Sequence, residues 1–94
     1  MKYEILFIVR PDLEEKAIQD TFKKMEKVLV DNKANVLSSK ELGQKELAYE
    51  IKKHSTGYYF LINVEADSKA ISEFERVATL SEDVIRHITI KLEK

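Results

Sequence analysis

Two periods organise the apolar positions of this chain. In residues 2–10, KYEILFIVR, β-branched and aromatic residues stand side by side and predict a strand. Pro11 stops it. Asp12 is suited to cap a helix, with Glu15 three residues on as its capping-box partner. Leu13, Ala17, Ile18, Phe22, Met25, Val28 and Leu29 then recur every three or four positions, which predicts an amphipathic helix of about five turns. Its opposite face mixes Lys16, Lys23, Lys24 and Lys27 with Glu14, Asp20 and Glu26, the pattern of a solvated surface.

From Asn35 to Lys53 no helical period holds and Gly43 interrupts near the centre, so a long strand with a bulge or bend at the glycine is expected. KHST, ending before Gly57, reads as a turn, and GYYFLINVEA as the partner strand of a hairpin. Asp67 and Ser68 offer caps for a second helix with the stripe Ala70, Ile71, Phe74, Val77 and Ala78. TLSED breaks it, and VIRHITIKL closes as a last strand. The order β-α-β-β-α-β predicts one α+β domain over residues 1–94, of ferredoxin-like type. Its four-stranded antiparallel sheet takes the order four-one-three-two, with both helices on one face.

A sheet with one wet face should alternate apolar and polar residues, and these strands do not. Ile5, Phe7 and Val9 share one face, as do Tyr58, Phe60, Ile62 and Val64. Yet Leu6, Ile8, Leu61, Ile88 and Ile90 fall on the other. Such a patch marks a face that docks a partner protein, unless the hairpin folds over it or two copies pair through it. On the docking reading, Ile8→Glu should abolish pairing and leave the monomer folded.

Composition narrows the chemistry. Apolar residues at 44% and charged residues at 35% describe a globular protein with a highly charged surface. Sixteen basic residues against seventeen acidic ones give a net charge of −1, so any nucleic-acid contact must rest on a local patch. Cysteine is absent, which excludes disulfides and thiolate metal sites and suits an intracellular protein. The run ILFIV is too short to span a bilayer, and the N-terminus enters a strand rather than a signal peptide. His54 and His87 lack metal-ligand spacing, and with glycine only at 43 and 57 no phosphate-binding glycine loop exists. An enzyme, a cofactor, a metal or a small-molecule substrate is therefore not expected.

The run GYYFLINV touches on the RNA-recognition-motif octapeptide, in which strand aromatics stack on bases. That motif wants a basic residue before the glycine and a small one after the first aromatic. Thr56 and Tyr59 stand there instead. A free-standing domain that binds single-stranded RNA is thus the alternative function, while Ile62 and Val64 favour burial of Tyr58 and Phe60 in the core.

A more specific likeness covers nearly the whole chain. Lys2-Tyr3-Glu4, Arg10-Pro11, the segment Leu42, Gly43, Leu47, Ala48, Tyr49 and Ile51, then Gly57 and Tyr59, and finally Ile85-Arg86, resemble in order and spacing the bacterial small-subunit ribosomal protein number six family. The family usually has two adjacent basic residues before L-A-Y; here Lys45 is followed by Glu46. The resemblance implies a non-enzymatic constituent of the cytoplasmic ribosome. It further implies binding to the central domain of 16S ribosomal RNA together with small-subunit ribosomal protein number eighteen, in support of platform assembly and translation. That partner would cover the apolar face. The cations Lys2, Arg10, Lys45, Arg86 and Lys91, with Tyr3, are the expected RNA-binding residues, positioning the protein through phosphates. The strand order brings Lys2 near Lys91 at one end of the sheet and Arg10 near Arg86 at the other.

Overall fold

The computed structural model describes residues 1–92. Along the chain run β1 (Lys2–Val9), α1 (Glu15–Asp31), β2 (Asn35–Ile51), β3 (His54–Glu65), α2 (Ser68–Leu80) and β4 (Val84–Leu92). The strands form one antiparallel sheet in the order β2-β3-β1-β4. Each helical crossover therefore spans one intervening strand: β1–α1–β2 straddles β3, and β3–α2–β4 straddles β1. This is the interleaved α+β architecture that the sequence predicts.

Strand alternation sends Ile5, Phe7 and Val9 of β1, with Phe60, Ile62 and Val64 of β3, to the helix side, where all six are fully buried. They meet Ile18, Met25 and Leu29 from α1 and Ala70, Ile71, Phe74 and Ala78 from α2. At the centre, Phe22 stacks on Phe60 with centroids 4.6 Å apart. Phe7 lies 5.4 Å from Phe60 and meets Phe74 edge-on at 5.8 Å. Phe60 is thus a core side chain. Tyr58 packs against the same cluster. Neither ring is an open platform for bases.

The helix ends are closed in different ways. The cap of α1 is Glu14 rather than Asp12, and it makes no side-chain cap bond. Asp12 stands two residues before that cap and lies beside Arg10, its carboxylate 3.7 Å from the guanidinium. At the other end, Lys33 N–H bonds Val30 and Ala34 N–H bonds Leu29, with Lys33 at φ 69° in the left-handed region. That is a Schellman stop in which lysine stands where glycine is usual. In α2 the expected cap forms: the Asp67 carboxylate accepts from Ala70 N–H at 2.9 Å.

The long β2–β3 hairpin slips register three times, between Val36 and Ser38, between Glu41 and Gly43, and between Glu46 and Ile51. Gly43, at φ 92°, supplies the left-handed residue of the middle bulge, as its position in the sequence suggests. The turn itself lies earlier than KHST. Ile51 pairs with His54, and Lys52 and Lys53 form the two-residue connection at φ 51° and 70°. Two positive φ values match the twist of a type I′ turn. Such turns favour Asn-Gly, because a left-handed residue with a Cβ costs roughly 1–2 kcal/mol.

Gly57 is required by close approach. A Cβ built there would stand 2.2 Å from Ile8 Cγ2. A side chain at position 57 would therefore require Ile8, itself packed at 4% exposure, to shift.

Two stability outcomes follow from this packing. Phe60→Ala should cost about 3–5 kcal/mol by urea unfolding, as loss of a fully buried aromatic does. Gly57→Ala should cost about 1–3 kcal/mol through overpacking, and adding Ile8→Ala should relieve it, giving a non-additive double-variant cycle. Strict additivity of the two would show that the clash does not control this site.

Candidate RNA and partner interface

The face turned away from the helices is built by alternation from Glu4, Leu6 and Ile8 of β1, Tyr59, Leu61 and Asn63 of β3, and Arg86, Ile88 and Ile90 of β4. It divides into two parts. The extra β2 residues accommodated between Glu46 and Ile51 carry the hairpin end across the first part. There Leu47, Tyr49 and Ile51 close over Leu6, Ile8 and Ile88, leaving a largely apolar recess of about 200 Å³. Arg86 fastens this cover. Its Nη1 donates to the Tyr49 hydroxyl, and its guanidinium carbon sits 5.7 Å from the Tyr49 ring centroid, a cation–π distance.

The expected docking face is therefore corrected at one position. Ile8 is buried by the protein's own hairpin, so Ile8→Glu would place an unpaired charge inside the monomer and unfold it rather than test a partner. Leu6 and Leu61 are half-buried. The uncovered part lies along edge strand β4, where Ile88, Ile90 and Leu92 are 38%, 50% and 38% exposed. Leu92, paired with Lys2, extends the apolar strip beyond the residues named from sequence.

The six expected RNA-binding residues form two groups. At one end of the sheet Tyr3 pairs with Lys91, and Lys2 with Leu92. The Lys2 and Lys91 side chains are exposed, whereas Tyr3 is partly buried against the core. Arg10, Lys45 and Arg86 stand at the opposite end, about 25 Å away by strand rise. Arg10 engages acidic neighbours there. Its Nε donates to Asp83 at 3.0 Å, and Asp12 lies 3.7 Å from it, so its charge is largely neutralised within the protein. Lys45 is exposed opposite Gly57 on the hairpin. Among the described residues Arg86 forms no ion pair, and its only hydrogen-bond partner is the neutral Tyr49. Tyr49 itself was visible in sequence as one aromatic of a motif; nothing local tells that it reaches across 37 residues to Arg86.

On the helix side, Tyr58 donates its hydroxyl to the Glu41 carboxylate, which also accepts from Gln19 at 2.8 Å. That acceptor bond favours the protonated phenol and holds the Tyr58 pKa above the usual tyrosine range; desolvation and the negative charges of Glu41 and Glu15 act in the same sense. Among the described residues no group of three His, Cys, Asp or Glu side chains could hold a metal ion, and no helix is long and apolar enough to cross a membrane.

An apolar strip on an edge strand, free cations at both ends of the sheet and a buried aromatic core define a small α+β binding protein. A family model described as ribosomal protein S6 matches residues 2–91. The chain belongs to the ribosomal protein S6 family. The crystal structure of 30S ribosomal protein S6 from Thermotoga maritima is similar at 27% identity and a TM-score of 0.90, over 95% of this chain and 84% of that one. Family membership makes the chain an RNA-binding structural component of the small ribosomal subunit, located with the ribosome in the cytoplasm and serving translation rather than catalysis.

Glu41→Gln gives a direct check on the helix-side hydrogen bond. Removing the carboxylate should lower the Tyr58 pKa toward the ordinary value near 10 in an ultraviolet tyrosine titration. An unchanged titration would mean that Glu41 does not hold that hydroxyl in solution.

Proposed function

We propose that this chain binds the central domain of 16S ribosomal RNA as a heterodimer with small-subunit ribosomal protein S18, and that the pair supports assembly of the subunit platform. The observation that carries this reading is the strip Ile88, Ile90 and Leu92. It is apolar, exposed, and lies on an edge strand whose outer side has no neighbour in the sheet. Burying such surface yields about 25 cal/mol for each Å² removed from water, and the free backbone edge offers hydrogen bonds besides. RNA contact is divided between the partner and the cations Lys2, Lys91, Lys45 and Arg86. Because the net charge is −1, the chain alone holds RNA weakly and in a strongly salt-dependent way.

The single-stranded RNA reader fares worse, since Phe60 is fully buried and Tyr58 packs partly against the same core on the helix side. Ile90→Glu replaces Ile8→Glu as the test of docking. It should leave the free energy of unfolding in urea within about 0.5 kcal/mol of the parent, because the site is half-exposed, while weakening S18 binding at least tenfold by calorimetry. Unaltered affinity would remove the β4 strip as the interface.

A further inference from the structure

Beside the hairpin turn a cleft of about 350 Å³ opens between Lys52 on one side and Thr79, Arg86 and His87 on the other. Ala78, Val84 and Ile85 complete its wall, and no carboxylate lines it. Elsewhere in the described residues the arginines and one lysine near acidic groups are paired: Arg10 with Asp83 and Asp12, Lys27 with Asp31, Arg76 with Glu73. Arg86 of β4 is the arginine without such a pair among the described residues, and the hairpin turn brings Lys52, unpaired like most of the lysines, to the same opening. We propose that this cleft is a docking site for one RNA backbone phosphate, gripped by Lys52 Nζ and by the guanidinium nitrogens of Arg86 that Tyr49 leaves free.

The roles divide by chemistry. A guanidinium presents a planar fork that can hold two phosphate oxygens, and Tyr49 fixes the Arg86 fork before the ligand arrives. Lys52 supplies a point charge from across the cleft. Thr79 Oγ1, 3.4 Å from His87 Nε2, adds a polar rim. A second observation points the same way. Lys52 and Lys53 occupy the two left-handed positions of the turn, at φ 51° and 70°, where Asn-Gly would be relaxed. Neither lysine is the residue that turn stability alone would select there.

The site deepens the RNA reading above and rests on it. Its test uses the S18 heterodimer and a central-domain fragment of 16S ribosomal RNA, titrated at several salt concentrations. The variant Lys52→Asn/Lys53→Gly should unfold at higher urea than the parent, since it relaxes the turn, yet bind RNA about tenfold more weakly. The slope of log affinity against log salt should flatten by roughly one, the loss of one phosphate contact. Arg86→Gln should add little to that loss, because both variants empty one site, whereas Lys2→Glu should add its full effect from the far end of the sheet. If the parent complex binds the fragment and the turn variant binds it with the same affinity and slope, the cleft is not a phosphate site and the wider reading stands. If the parent complex does not bind the fragment at all, both fall together.

Discussion

Every phenylalanine in the chain, four in all, converges on one point beneath the sheet. Phe7 comes from β1, Phe22 from α1, Phe60 from β3 and Phe74 from α2. Each ring buries on the order of 150–250 Å², and stacked or edge-on pairs contribute about 0.5–1.5 kcal/mol beyond that area. The cluster therefore ties both helices to the two central strands with one contact from each element. The outer strands β2 and β4 are held by their ladders and by lesser packing. The division between a rigid centre and more adaptable margins follows from where four rings meet.

That centre also decides which surface is left for binding. With the aromatic side of the sheet committed to the helices, the sheet offers partners its reverse face, its edges and its ends. The hairpin claims part of the reverse face for itself, and Arg86 serves as the clasp because its guanidinium satisfies a hydroxyl and a ring face together. A cation engaged by neutral groups keeps its charge available, whereas one paired with a carboxylate does not. Arg86 and Arg10 stand at the same end of the sheet and differ in this respect.

Much of the architecture was legible from periodicity. The element order, both helical stripes, the bulge at Gly43 and the burial of Phe60 follow from local patterns, and the strand order from the fold class that this element order defines. Two misplacements have local causes too. Asp12 looks like a cap, but the helix begins later, with Glu14 at the cap position and the Asp12 carboxylate beside Arg10. The turn looked like KHST because the residues at 52 and 53 carry none of the Asn-Gly signature that marks left-handed positions. The site was less readable. Residue type announced the cations, yet whether each is neutralised depends on contacts as distant in sequence as Arg10 with Asp83. Ile8 announced an apolar face correctly by alternation, but its cover comes from the far end of the hairpin. No period in the sequence records how three extra residues bend a strand.

The pairing of β1 with β4 sets Lys2 beside Leu92, so residues ninety positions apart lie on neighbouring strands at one corner of the sheet. A force drawing those two residues apart would meet the ladder rung by rung, because antiparallel hydrogen bonds lie across the strands and open one pair at a time. The molecule is mechanically soft along that line. Pulled instead along the strand axes in opposite directions on β1 and β4, it would have to shear the whole ladder between them at once. A tether attached near this corner can therefore peel away the edge strand while the aromatic centre stays folded.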